Sequence, residues 1–175
     1  MRATEAPHIL VRLRPWEYTL VAQIGADRAA RNHDRPDAPH YDRSRMEDDR
    51  TAQHAACAAE CATARVLNKY WTAGGAWDSA RHREFQHLAD VGNNTEVRRV
   101  REPTSTTFAV DAKDKNRMVV ACYVEAPELR DVRFLGWITG EEALRIGTDS
   151  QYGGNRKRVP ISALTLRGIE GEVIQ

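Results

Sequence analysis

The sequence predicts an α/β fold of the α+β kind: a mixed, mostly antiparallel sheet flanked by helices. Two long stretches in the first half space their apolar residues as helices do, and four short runs in the second half are rich in valine, threonine and aromatics. Glycine, asparagine or proline marks most of the junctions between them. A chain of 175 residues can bury a core without disulfides or metals, and no internal repeat divides it, so a single domain over 1–175 is expected.

"HILVRL" (8–13) reads as a short strand, and Pro15 then opens a helix, "PWEYTLVAQIGADRAARNHD", with Leu20, Val21 and Ile24 on one face and Gly25 as its weak point. The segment 33–50, "HDRPDAPHYDRSRMEDDR", combines two prolines with many charges and almost no apolar residues, which predicts an exposed loop. From Thr51 the alanine-rich "TAQHAACAAECATARVLNKYWTAGG" predicts a central helix to about residue 72, stopped by Gly74 and Gly75. Ala56, Cys57, Ala64, Leu67 and Trp71 share one stripe of it, with Glu60 in the middle and Lys69 nearly opposite. "AWDSARHREFQHLAD" (76–90) fits a short helix or irregular chain equally well.

Strands are expected at 95–101, 106–112, 117–126 and 132–139. "VVACYV" is apolar without alternation, as a central strand covered on both faces should be. "GEEALRIG" predicts a short helix, and "GGNRKRVPISALTLRG" a basic loop followed by an extended segment whose proline suits a sheet edge.

With 26 basic and 25 acidic residues, the net charge of +1 gives no field that would steer a polyanion, so any nucleic-acid surface must come from local segregation of charge. No apolar run approaches the roughly 20 residues of a membrane helix, and the N-terminus lacks a secretory h-region, so a cytoplasmic protein without membrane contact is expected. Cys57, Cys61 and Cys122 are an odd set and a poor disulfide framework.

The strongest chemical signal is Glu60, Asp90, Glu96 and Arg98. Residues two apart on a strand share a face, so Glu96 and Arg98 should stand side by side while Val97 turns into the opposite layer. Asp90, just before the "VGNN" turn, would lie opposite Glu96 across a hairpin. Adjacent carboxylates repel unless a divalent cation, a shared proton or a cation such as Arg98 compensates. Glu60, on an apolar stripe, also needs a partner, supplied by that same corner or by a buried arginine. Two basic clusters, Arg98, Arg99 and Arg101, then Arg156, Lys157 and Arg158, offer the local positive charge that phosphate contacts require. His54, Cys57 and Cys61 have zinc-like spacing, but without a second ligand-bearing element they read as a buried stripe. His82 and His87 read as polar residues, Lys113 and Lys115 as solvated turn charges, and Trp71 and Trp137 as core aromatics.

Glu60 in "AAECATA", Asp90 in "LADVG", Glu96-Val97-Arg98 in "TEVRR", then "GWITGEEA" (136–143) and "VPISAL" (159–164), resemble in order the layout of PD-(D/E)XK nucleases, including small phage and metagenomic proteins of that superfamily. The resemblance covers nearly everything after Thr51. It implies a restriction-endonuclease-like core, a phage or mobile-element setting, and metal-dependent hydrolysis of nucleic acid, DNA rather than RNA. Asp90, Glu96 and the Val97 carbonyl would hold Mg²⁺ or Mn²⁺, with Glu60 completing the site directly or through water. The family's lysine is Arg98 here. Arginine keeps its proton at any relevant pH, so it can grip a phosphate and stabilise charge but cannot act as a general base. Two outcomes stay open: a metal-dependent nuclease, or a catalytically silent relative that binds nucleic acid or a protein partner.

Overall fold

A computed structural model describes residues 1–33, 48–73, 88–150 and 155–169. Most of the charged 33–50 segment, the Gly74-Gly75 stop and most of the undecided 76–90 stretch, including His82 and His87, lie outside the described residues.

The fold is α+β, with a mixed sheet and three α-helices among the described residues. Strand β1 (Ile9–Arg12) leads into helix α1 (Pro15–His33), where Pro15 occupies the first turn and needs no N–H partner. The Glu17 carboxylate accepts the Arg14 amide at 2.7 Å, so the start of the helix is closed by its own side chain. Helix α2 (Asp49–Val66) is capped by Asp48, which accepts the Thr51 amide at 2.8 Å. It stops before the expected residue 72. Asn68 turns left-handed at φ 49°, and the Lys69 amide closes onto the Ala64 carbonyl at 2.9 Å. Trp71 therefore leaves the helix and forms a bridge with Val91.

The remaining strands are β2 (Thr95–Val100), β3 (Thr107–Asp111), β4 (Met118–Val124), β5 (Asp131–Thr139), β6 (Thr148–Asp149) and β7 (Arg156–Pro160), with helix α3 (Gly140–Ile146) after β5. They form two sheets rather than one. The larger runs β1-β5-β4-β2, antiparallel except for the parallel β2–β4 pair, and the smaller runs β3-β7-β6, all antiparallel. "VVACYV" is an inner strand, and Val119, Val120, Ala121 and Cys122 are fully buried. Pro160 ends β7, where a missing N–H costs no ladder bond.

The larger sheet separates two cores. Val97, Val120, Cys122 and Phe134 pack against α1 and α2, while Val100, Val119, Ala121 and Ile138 pack against Phe108, Val110 and Val159 of the smaller sheet and Ala143 of α3. The "GWI" of the sequence follows a bulge on β5, where Leu135 is left over between two register-matched pairs. Gly136 has φ +128°, and a Cβ there would stand 2.7 Å from the Thr165 carbonyl oxygen, so only glycine fits. No helix among the described residues is long and apolar enough to cross a membrane.

Gly25 serves close packing: a Cβ there would stand 2.7 Å from His54 Cα, in the backbone of α2. In an exposed helix Gly→Ala stabilises by roughly 0.5–1 kcal/mol. Here Gly25→Ala is expected to destabilise by about 1–3 kcal/mol through overpacking. Urea denaturation reads the sign, and a variant more stable than wild type would contradict this packing.

Candidate functional site

Glu17, Val21, Ile24 and Arg28 fall four, three and four apart, so one face of α1 carries two apolar residues between an acid and a base. That face meets α2, whose Glu60 and Arg65 supply the complementary charges. Arg28 forks onto Glu60 through two bonds of 2.8 Å, and the Trp71 indole donates to the same carboxylate at 2.7 Å. At the other end Arg65 donates to Glu17 at 2.8 Å and to the Arg12 carbonyl at 3.0 Å. Glu60 and Glu17 are 6% and 1% exposed, so both pairs are buried and break only at the cost of an uncompensated charge. Of the two partners open to Glu60, the arginine is the one present.

Asp90 does lead into a hairpin. Val91 and Thr95 exchange both backbone bonds, at 3.0 and 3.2 Å, across the Gly92–Asn94 turn. The Asp90 Oδ2 accepts the Val97 amide at 2.8 Å. Desolvation, then the nearby Glu60 charge, pushes the Asp90 carboxyl up to about 6 against the lowering effect of the Val97 amide, Arg98 and Arg28. Glu60 and Asp90 thus share one corner.

Glu96 does not join them. Paired residues of neighbouring strands share a face, and Glu96 pairs with Val119 while Val97 pairs with Val120. Val119 belongs to the core under the smaller sheet and Val120 to the core under α2, so Glu60 and Glu96 lie on opposite sides of the larger sheet. Glu96 and Arg98 are side by side as expected, 3.4 Å apart, and Arg117 also pairs with Glu96 in a short contact. Arg98 further contacts Asp114 closely and lies 3.8 Å from Asp111. No motif in the sequence marks these two acids and Arg117: Asp111 and Asp114 sit in "DAKDKN", which reads as a turn whose lysines are solvated charges. Asp114 is fully buried in a short 3-10 turn at Ala112–Asp114, while Lys113 and Lys115 are exposed.

The four residues assigned to Mg²⁺ or Mn²⁺ therefore do not fit that ion as one site. Glu60 is spent on Arg28 and Trp71, Asp90 on the Val97 amide, and Glu96 on two arginines across the sheet. Among the described residues no group of three His, Cys, Asp or Glu side chains is placed to hold an ion, zinc included. Cys57 and Cys61 are buried thiols with raised pKa, set by desolvation, and pack as small apolar groups.

The basic clusters also divide by strand alternation. Arg98 faces the smaller sheet, whereas Arg99 pairs with Cys122 and so faces α2; both Arg99 and Arg101 have partners within the chain. Arg156 and Arg158 pair with Asp111 and Ala109 on the outer face of the smaller sheet, but Lys157 pairs with buried Val110 on the inner face and bonds Asp149 at 2.6 Å. Compared with family models, curated proteins and solved structures, the chain matches none.

Two outcomes follow. Glu60→Ala strands Arg28 and should cost about 3–5 kcal/mol in chemical denaturation, whereas Arg28→Met with Glu60→Leu should recover most of it; equal losses would remove the clamp from the account. Between the ordinary carboxyl value near 4 and about 6, folded Asp90 holds a proton that the unfolded chain has released. Its contribution to stability therefore declines as pH rises through that window and stays low above it. Asp90→Asn, which keeps an acceptor for the Val97 amide, should flatten the stability profile there, and an unchanged slope would place the titration elsewhere.

Proposed function

We propose that this protein is a nuclease-like domain that binds nucleic acid, DNA in preference to RNA, without hydrolysing it. The observation that carries this reading is the bidentate Arg28–Glu60 pair, with Trp71 on the same carboxylate. A metal ion recruited to that corner would have to break a buried ion pair, at about 3–5 kcal/mol. Across the sheet Glu96 is neutralised by Arg98 and Arg117. Arg98 keeps its proton, so it leaves water unactivated where the resembling nucleases have a lysine. A nuclease scaffold can lose its chemistry and keep its surface.

The outer face of the smaller sheet supports the choice of ligand. Thr107, Ala109 and Asp111 of β3, Arg156, Arg158 and Pro160 of β7, and Thr148 of β6 share that side by register. It is polar and carries two arginines against one acid. None of these residues is aromatic, which suits contact with phosphates and not stacking on bases. Such binding is sequence-independent and weakens steeply with salt.

The test is a titration of labelled duplex and single-stranded DNA over a range of salt, with Mg²⁺ or Mn²⁺ present. The expected result is salt-sensitive binding with no product, and a salt slope lowered by about 2 when Arg156→Ala and Arg158→Ala are combined. Cleavage abolished by Asp90→Asn or Glu96→Gln would restore the hydrolytic reading. No binding at low salt would turn the reading toward a protein partner.

A further inference from the structure

Arg98 is surrounded by carboxylates. Its Nη1 lies 3.4 Å from Glu96 Oε2, and its Nη2 lies 3.8 Å from Asp111 Oδ2 and in short contact with Asp114 Oδ2. The acids come from separate places: β2, the end of β3, and the 3-10 turn that follows β3. Their positions are set by backbone as well as by the guanidinium, since the Asp111 amide donates to Asp114 Oδ2 at 2.9 Å. The outer oxygens are held too: Arg117 takes Glu96 Oε1, and Arg156 donates to Asp111 Oδ1 at 3.0 Å. One oxygen of each acid is thereby directed at Arg98.

Two buried atoms in this cluster have no hydrogen-bond partner, Asp114 Oδ1 and Arg98 Nε. Asp114 is wholly buried, and a carboxylate oxygen there without a donor is costly. The planar fork of a guanidinium offers its N–H groups in one plane, and this cage leaves one of them unused while leaving an acceptor unmet. An oxygen set that the fork does not saturate suits a spherical cation with no directional demand, of the hard kind that carboxylates bind.

We propose that Glu96, Asp111 and Asp114 form a cation cage that Arg98 fills as a tethered monovalent cation, and that a divalent ion such as Mn²⁺ takes the cage once the guanidinium is removed. With Arg98 in place the acids are spread around a group larger than an ion, and no three of them are close enough to hold one. Asp111, the most exposed of the three, is held on its outer side by the exposed Arg156, so its inward movement exchanges a solvent-facing ion pair for the ion. The inference deepens the non-hydrolytic reading and rests on it, because it makes Arg98 the resident cation of its own site.

The experiment compares thermal unfolding of wild type and Arg98→Met in metal-free buffer and in millimolar Mn²⁺. The expected result is a rise of roughly 2–4 °C or more for Arg98→Met and no shift for wild type, with the rise lost when Asp114→Asn is added. If Arg98→Met does not fold without metal, refolding in Mn²⁺ should recover it. A variant indifferent to Mn²⁺, or unfolded with and without it, overturns the cage. Failure of the non-hydrolytic reading would appear separately, as DNA cleavage by the wild-type chain, which ion-dependent melting does not report.

Discussion

The Arg28–Glu60 pair is the interaction on which the rest of the arrangement depends. It joins the end of one helix to the middle of another, below the surface, and fixes how α1 lies on α2. A carboxylate on an apolar helix stripe is a liability unless something of opposite charge is built to meet it. Here the partner arrives from 32 residues earlier in the chain, and Glu17 with Arg65 repeats the device with the charges exchanged between helices. Two such pairs set both rotation and register of the helices. Gly25 and His54 can then come close enough to exclude a methyl group.

The same economy of charge runs through the second layer. Acids that a metal could have drawn together are instead distributed on two sides of a sheet and answered by arginines. The difference is physical. A divalent ion needs several oxygens converging within a narrow range of distances, whereas a guanidinium serves oxygens spread around its plane. An active site with catalytic metal and a core cross-braced by arginine can thus begin from nearly the same residues, differing in whether the carboxylates converge. Asp90 sits between the two outcomes: next to Glu60, bonded to the backbone of β2, and raised in pKa by burial and then by the nearby Glu60 charge.

Much of the fold was legible in the sequence because its elements are strongly periodic and well punctuated. Pro15 and the "VGNN" turn each mark a boundary by a local steric or hydrogen-bonding demand. The helix through Glu60 ends earlier than its sequence suggests: Leu67 favours helix, but Asn68 turns the chain left-handed and Trp71 pairs with Val91, a contact distant in sequence. The second sheet was hidden because its strands look like any others, and partner choice is a long-range property. At the site, the side-by-side placement of Glu96 and Arg98 followed from strand alternation. The same alternation, applied to Val97 as the residue facing α2, already separates Glu96 from Glu60. Arg28 was also within reach, one turn beyond Val21 and Ile24 on their own stripe.

The most direct test of this account is a crystal structure from crystals soaked in Mn²⁺, read by anomalous scattering. Arg28 should still be forked on Glu60 and Arg98 still lie among Glu96, Asp111 and Asp114, with no manganese peak at either place. A manganese ion bound by Asp90 together with Glu60 or Glu96, with Arg28 or Arg98 swung away, would contradict it.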